Sequence, residues 1–198
     1  MARPRNASTD LAILDATRAE LVEKGWSKLS MASVAERAGV AKTTLYRRWP
    51  GRSEMVVDAV AVLFDELELP DRGSLQSDIE GVVLSFAALM SRPEAKTALM
   101  AVVAESTHNP RLRDRIRTTV VDRQKRLVRQ GRLRAQERGE LPVDGPDPAV
   151  DEQLVDLTFD VVAGAVVHRV LVSDEPVDEQ WAAAFALLLV GGITAING

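Results

Sequence analysis

The stretch AERAGVAKTTLYRRWPGRSEM, residues 35–55, decides the fold of the N-terminal part of the chain. Ala35 lies four residues before Gly39, and Leu45 follows six residues after it. This spacing is typical of a helix-turn-helix, in which a small residue lets two helices cross closely and a glycine makes the turn. Val40 and Leu45 then fill the wedge between the two helices. The segment therefore predicts two short helices that pack through one side.

The other side of the second helix carries polar and cationic side chains. They are Lys42, Thr43, Thr44, Tyr46, Arg47 and Arg48. Such side chains donate hydrogen bonds to phosphates and to guanine edges in a major groove, and threonine methyls can contact thymine. Arg3, Arg5 and Arg52 add positive charge to the same part of the chain. The segment therefore favours DNA binding over an ordinary solvated helix.

Apolar residues recur at helical spacing through nearly the whole chain, and the alternation typical of strands is hard to find. We therefore predict an all-helical protein of about nine helices. They are expected over residues 10–24, 31–38, 42–49, 53–67, 74–91, 94–105, 110–138, 147–172 and 178–196. A break at residues 70–73, Pro-Asp-Arg-Gly, marks a domain boundary. It separates a DNA-binding module, residues 1–52 with the connecting helix 53–69, from a C-terminal domain, residues 70–198.

Composition narrows the class of protein. The chain has 198 residues, of which 46% are hydrophobic, and no cysteine, so it can form a core but no disulfide or thiolate site. The first residues lack the apolar run of a signal peptide. The apolar stretch 181–198 contains Gly191 and Gly192 and is short for a membrane span. We expect a cytoplasmic protein with no membrane partner.

Charge is segregated along the chain, although the net charge is only −4. Residues 110–138 contain eleven basic and three acidic residues, whereas residues 139–198 contain one basic and eleven acidic residues. The basic segment is a second candidate surface for nucleic acid. Its apolar stripe favours a different interpretation, a surface helix whose arginines pair with acidic neighbours. The stripe consists of Leu112, Ile116, Val120 and Leu127.

The sequence SVAERAGVAKTTLYRRWPGRSEMV, residues 33–56, resembles the DNA-binding signature of the TetR family of bacterial one-component transcriptional regulators. The resemblance extends over about residues 11–67. The later segments LPDRGSL, RGELPVD and HRVLV are similar to a subset of the family's C-terminal domains, with a weaker match. The resemblance implies a helix-turn-helix module followed by a larger helical domain for ligand binding and dimerisation.

The resemblance also implies roles for single residues. It places Lys42 to Arg48 on the recognition helix, Leu45 and Trp49 on the buried side of that helix, and Arg52 at a phosphate contact that opens the next helix. Two positions depart from the family's usual pattern. Ala41 replaces a frequent serine and removes a side-chain cap, and Trp49 stands where phenylalanine is more usual.

Two late segments are apolar on all sides: VVAGAVVHRVLV from Val161 and WAAAFALLLVGGITAI from Trp181. A surface helix of a monomer needs one apolar stripe, so the extra apolar sides predict a partner subunit. The alternative is that both helices lie at the centre of a monomer. The expected dimer interface consists of Val161, Gly164, Ala165, Trp181, Phe185, Leu188 and Leu189. Such a homodimer would read a palindromic operator in double-stranded DNA with recognition helices about 34 Å apart.

The resemblance further implies a small-molecule effector bound among the C-terminal helices. The candidate pocket residues are Phe86, Met90, Met100, Phe159 and His168. Because four of the five are apolar, we expect a hydrophobic or aromatic effector. The favoured function is a homodimeric repressor that this effector releases from its operator. No cofactor, metal site or catalytic residue is expected.

Two other functions stay open at this point. One is a DNA-binding protein without an effector, which acts architecturally or through a protein partner. The other is a small helical enzyme of the hydrolase type that uses Asp156, Asp160 and His168. The chain has only two histidines and no cysteine, so the usual zinc-ligand pairs are missing.

Overall fold

The computed structural model describes residues 7–197, and all regular secondary structure in this part of the chain is helical. The helices are α1 (Ala7–Lys28), α2 (Met31–Arg37), α3 (Lys42–Tyr46), α4 (Arg52–Phe64), α5 (Leu75–Met90), α6 (Pro93–Ser106), α7 (Pro110–Ile116), α8 (Asp122–Glu137), α9 (Pro148–Val167) and α10 (Glu179–Asn197). A π-helical segment, Arg117–Val121, leads from α7 into α8, and another, His168–Val172, extends α9. If α7 and α8 are counted as one helix, the described residues contain nine helices. The all-helical prediction is confirmed.

Several helix ends lie where the local sequence predicts them. The Ser30 hydroxyl accepts a hydrogen bond from the Ser33 N–H at 3.1 Å, and the Ser33 hydroxyl accepts one from the Ser30 N–H at 3.3 Å. This reciprocal pair caps α2. Gly39 has φ 65°, the left-handed conformation that the predicted turn requires. Asn109 and Asp147, each followed by proline at the first helical position, cap α7 and α9.

The N-terminal helices end within about one turn of the predicted positions. Gly25 has φ 71° and ψ 173°, which is not helical backbone, so the first helical segment ends there as predicted, and a separate short helical segment continues to Lys28. The recognition helix α3 ends at Tyr46 rather than at Trp49. Trp49 precedes Pro50, whose ring disfavours helical backbone in the residue before it, so the last predicted turn loosens.

The described residues divide into two compact units, each with its own packing. The N-terminal unit comprises residues 7–64 and 92–121, so that α6 and α7 pack with the first four helices. Because α1, α6 and α7 all contact α4, this helix is buried on nearly every side, including Met55, Val57 and Leu63. A three-helix module alone would leave that apolar surface exposed. The domain boundary near residue 70 therefore stays a prediction about function, since the compact units do not follow chain order.

The C-terminal unit comprises residues 65–91 and 122–197, in which α5 contacts α8, α9 and α10. The carboxylate of Asp78, on the first turn of α5, is almost fully buried. It accepts hydrogen bonds from Arg138 at 3.1 Å and from the Arg72 N–H at 2.6 Å, and Arg134 lies 3.6 Å away. This cluster ties the Pro-Asp-Arg-Gly break and the end of α8 to the start of α5. It also shows that α5 and α8 run antiparallel.

The basic helix α8 is paired with acidic residues of the following segment. The pairs are Lys125 with Asp156 at 2.6 Å, Arg129 with Glu152 at 2.5 Å, and Arg132 with Asp151 at 3.2 Å. Because rising numbers on α8 meet falling numbers on α9, these two helices are also antiparallel. The ion-pairing interpretation of the basic segment is confirmed for these residues.

Candidate nucleic-acid interface

The second helix of the helix-turn-helix is anchored through its inner side. Leu45 is 0% exposed, and Ala35 and Trp49 are buried with it. The Trp49 indole Nε1 donates a hydrogen bond to the Asp58 carboxylate on α4 at 2.8 Å. The predicted buried positions of Leu45 and Trp49 are confirmed, and they fix which side of α3 faces outward.

The outer side of α3 presents polar groups to solvent. Lys42, Thr43 and Arg47 are exposed, Tyr46 is 57% exposed, and Thr44 is half-buried. In the part of the chain that the structure describes, the side chains of Lys42, Tyr46 and Arg47 have no hydrogen-bond or ion-pair partner. Their donor groups are therefore available to a ligand outside the chain, and phosphates and base edges are the ligands that such donors fit.

Two of the predicted DNA contacts already have partners within the chain. The Arg48 guanidinium lies 2.5 Å from the Asp10 carboxylate on α1 and is 16% exposed. The Arg52 guanidinium lies 4.6 Å from the centre of the Trp26 ring and donates to the Trp26 and Leu29 carbonyls at 3.4 and 3.3 Å. Both arginines therefore also stabilise the packing of α1 against the helix-turn-helix. Arg3 and Arg5 lie outside the described residues.

Sequence reasoning missed two residues that position the recognition helix. Arg115 on α7 donates two hydrogen bonds to Asp58, at 3.0 and 2.6 Å, in the forked geometry typical of arginine and carboxylate. Asp58 thus joins Trp49 to Arg115. Asp58 and Arg115 are 57 residues apart, so no local pattern connects them. The one available signal was Asp58 itself, a charge within the apolar run VVDAVAV.

The candidate effector residues do not lie together. Phe86 and Met90 are buried on α5, and Phe159 is half-buried on α9, which packs against α5. Met100 is 52% exposed on α6, in the N-terminal unit, because the buried stripe of that helix runs through Ala98 and Val102 on the opposite side. His168 is exposed for the same reason, since its neighbours Val166 and Val170 are the buried ones. Neither Met100 nor His168 lines the interior of the chain.

The candidate dimer residues divide into outward and inward sets. Val161, Gly164 and Leu188 are exposed, and Leu188 is 75% exposed. Phe185 and Leu189 are buried on α10, which packs against α5, so these two side chains belong to the core of the subunit. Trp181 stacks on Phe185 with ring centroids 5.0 Å apart, and Ala165 is half-buried. The sequence analysis missed Leu187, which is also exposed.

By length and composition, α10 could span a membrane: its window Glu179–Ile196 has a mean hydropathy of 1.5, and 17% of that window is buried. A helix of a soluble protein that packs on one side against its own chain and on the other against a partner has the same composition. Gly191 and Gly192, both exposed, interrupt the apolar surface in its last turns.

The candidate catalytic residues are not assembled into a site. Asp156 is held by Lys125, and Asp160 and His168 are exposed. Within residues 7–197, no group of three or more histidine or acidic side chains is placed to hold a metal ion.

Leu45, on the inner side of α3, and the nearby Trp49 are buried, and hydrogen-bond donors are exposed on the outer side of α3. This arrangement is that of a helix-turn-helix DNA-binding regulator, and comparison with known proteins identifies the family. Residues 13–59 match the family model for bacterial regulatory proteins of the tetR family, and residues 69–188 match the model for the Tetracyclin repressor-like, C-terminal domain. The chain belongs to the TetR family of transcriptional regulators. This is a family of DNA-binding regulators and not of enzymes.

Individual relatives cover most of the chain. The transcriptional regulator AqdR of Rhodococcus erythropolis is 31% identical over 84% of this chain and 76% of its own length. The DNA-binding transcriptional repressor TetR of Mycobacteroides abscessus is 29% identical over 88% of each chain. A TetR family transcription regulator of known crystal structure has a TM-score of 0.75 at 27% identity, over 94% of this chain and 98% of its own. The regulator FadR from Bacillus subtilis, in complex with stearoyl-CoA, has a TM-score of 0.65 at 18% identity, over 92% of this chain and 98% of its own.

Proposed function

We propose that the protein is a homodimeric repressor, which binds a palindromic operator and is released from it by a small, largely apolar effector. The observation that carries this proposal is the outer face of α3, where Lys42, Tyr46 and Arg47 have no partner in the described chain. In this proposal residues 1–52 read DNA, residues 53–69 connect, and residues 70–198 bind the effector and the second subunit. The protein acts in the cytoplasm.

Exposed apolar side chains on α9 and α10 support the homodimer. They are Leu157, Val161, Leu187, Leu188 and Ile196. A monomer rarely leaves so many large apolar side chains of two helices in water. Two copies related by a two-fold axis would cover the same surface on each other, and glycines at 164, 191 and 192 would let the helices approach closely. A partner subunit, rather than lipid, is the proposed cover for α10.

The two-fold symmetry of the proposed dimer requires an operator with two inverted half-sites. The two α3 helices of the dimer would enter successive major grooves about 34 Å apart, so each would contact one half-site. Lys42 and Arg47 would contact phosphates or guanine, and the Tyr46 hydroxyl and Thr43 would contact bases or backbone.

Release by an effector is supported by the family and by the packing of the C-terminal unit. The structural neighbour FadR is known in complex with stearoyl-CoA, so the fold accommodates a ligand with a long apolar chain in at least one relative. In this chain, α5 contacts α8 and α9, and α5 carries the buried Phe86 and Met90 while α9 carries the half-buried Phe159. An effector would act only if it binds one state of the dimer more tightly than the other. We propose that α4 carries the difference by changing the separation of the two recognition helices.

Selection of binding sites from random duplex DNA tests the proposal, combined with analytical ultracentrifugation of the full chain at micromolar concentration. We expect an enriched sequence with two inverted half-sites, bound by a sedimenting dimer. An enriched site without two-fold symmetry, or a monomer at this concentration, would contradict the proposal of a homodimer on a palindromic operator. If no sequence is enriched at physiological salt, the protein is not a sequence-specific regulator.

A further inference from the structure

A glutamine in the interior of the C-terminal unit has no hydrogen-bond partner. Gln124 is 4% exposed, and neither its Nε2 nor its Oε1 is bonded to any residue that the structure describes. Gln124 lies on the buried stripe of α8, together with Leu127, Gly131 and Ala135. Buried polar side chains are bonded in the large majority of cases, because an unpaired amide loses its hydration without compensation. The packing of the described residues therefore leaves this amide without a hydrogen-bond partner.

The register of α8 against α5 places Gln124 near one end of α5. Asp78, at the start of α5, meets Arg134 and Arg138 near the end of α8. Because the helices are antiparallel, moving back along α8 to Gln124 corresponds to moving forward along α5. The step from Arg138 to Gln124 is about 21 Å of helix and that from Asp78 to Met90 about 18 Å. Gln124 therefore lies level with the last turn of α5, where Met90 and Phe86 are buried.

The register of α8 against α9 leads to the same place. Lys125, next to Gln124, binds Asp156 at 2.6 Å. Phe159 lies three residues beyond Asp156, about one helical turn further along α9. Helix α5 contacts both α8 and α9. Phe86 and Met90 on α5 and Phe159 on α9 thus lie at about the same height along the helices as the unpaired amide of Gln124 on α8.

We propose that Gln124 is the hydrogen-bonding anchor of an effector site between α5, α8 and α9, and that the effector is an uncharged, largely apolar primary amide or lactam. This inference rests on the proposed function as a ligand-responsive regulator. A carboxamide side chain donates through Nε2 and accepts through Oε1, so it is satisfied by a ligand group with C=O and N–H side by side. A carboxylate offers only acceptors and leaves Oε1 unpaired, and an ammonium group offers only donors and leaves Nε2 unpaired. Phe86, Met90 and Phe159 would contact the apolar body of the ligand.

The test uses three probes with the same phenylalkyl body: 4-phenylbutanamide, its N,N-dimethyl derivative and butylbenzene. Binding to the full-length wild type and to Gln124→Met is measured by calorimetry. Gln130→Met is the matched control, because Gln130 is exposed on the same helix. The wild type and Gln130→Met should bind the primary amide about tenfold more tightly than the other two probes, a ratio that corresponds to one neutral hydrogen bond. Gln124→Met should bind all three with similar affinity.

A measurement on the wild type keeps the inference testable if the variant folds poorly. The side-chain NH2 signals of Gln124 in an ¹⁵N-labelled sample should shift when 4-phenylbutanamide is added and should not shift with butylbenzene. Failure of the amide to bind the wild type, retention of the preference in Gln124→Met, or a water that still bonds the Gln124 amide in crystals soaked with the probe would overturn the inference. Operator binding is measured on the same samples. If the wild type binds its operator and shows no amide preference, only this inference fails. If it binds no operator, the proposed function fails.

Discussion

Arg47 is the side chain on which the proposed DNA contact depends most directly, because it is exposed and unpartnered in the described chain. Arg47→Ala should weaken operator binding by about 1–3 kcal/mol per protomer, as expected for loss of a base or phosphate contact. Fluorescence anisotropy at fixed salt measures the change. Arg123→Ala is the control, since Arg123 pairs with Asp65 at 2.5 Å, and it should leave affinity nearly unchanged. Equal losses in the two variants would move the interface to the basic helix.

Arg115 supports the recognition helix indirectly, through Asp58 and Trp49. Arg115→Met removes both hydrogen bonds to Asp58 and should loosen the support of Trp49. We expect weaker operator binding with an unchanged salt dependence, because no phosphate contact is lost, whereas loss of a phosphate contact lowers the salt slope by about one. Arg111→Met, at an exposed position on the same helix, should have no effect on either quantity. A reduced slope in Arg115→Met would show that Arg115 contacts DNA itself.

Glu20 predicts a pH dependence of stability in the N-terminal unit. Burial alone would raise the pKa of its carboxyl, but hydrogen bonds from Lys24 and Ser33, with the charges of Lys24 and Arg37, lower the pKa below its usual value of 4.5. The stabilisation is therefore complete above pH 4.5 and is lost as the pH falls through the lowered pKa. Urea unfolding should show Glu20→Gln less stable than the wild type by about 1–3 kcal/mol at pH 7 and by a smaller margin at pH 3. A gap that is the same at both pH values would contradict this account.

At the scale of single elements, α3 lacks a side-chain cap. Its N-cap residue, Ala41, has extended backbone and makes no side-chain hydrogen bond, which confirms the prediction from the missing serine. Ala41→Ser should raise the free energy of unfolding by about 0.5–2 kcal/mol, because the hydroxyl can accept a free N–H of the first turn. Chemical denaturation measures the change. Ala104→Ser, at an exposed position within α6, should give no gain, and an equal gain there would exclude capping as the cause.

The helices themselves were largely predictable, because their ends are set by nearby residues. Ser30, Gly39 and the Asn-Pro and Asp-Pro pairs each act within one turn of their own position. Gly25 acts in the same way, because its left-handed backbone interrupts α1 where the sequence predicts an end. The assignment of α6 and α7 to the N-terminal unit depends on contacts between distant segments, which no local pattern contains.

In the candidate interface too, features set by nearby residues were predictable, whereas contacts between residues far apart in the sequence were not. The outward and inward sides of α3 follow from spacing alone, so Leu45, Tyr46 and Arg47 lie as predicted. The partners of Arg48 and Arg52, and the bond between Asp58 and Arg115, join residues far apart in the sequence. The placement of Met100 and His168 failed because residue type alone was used, without the phase of the buried stripe on each helix.

At the scale of the whole molecule, the homodimer proposal predicts a change of assembly on charging the exposed face of α10. Leu187→Glu combined with Leu188→Glu should give a monomer in analytical ultracentrifugation, because two buried, unpaired carboxylates per subunit would oppose association. Operator affinity should fall with it, since one recognition helix reads only one half-site. The control, Leu133→Glu, changes an exposed leucine on α8 and should leave a dimer. A dimer that persists in the double variant would place the interface elsewhere.

The contacts of Arg52 bear on the thermodynamics of the proposed complex. Long side chains ordinarily give up about 1.5–2 kcal/mol of rotamer freedom when they are immobilised. The Arg52 guanidinium is already stacked on Trp26 and bonded to two carbonyls, so folding has removed most of that freedom before any DNA approaches. A phosphate that meets it encounters a preorganised group, and the entropic penalty of association falls mainly on the exposed, unpartnered side chains of Lys42 and Arg47.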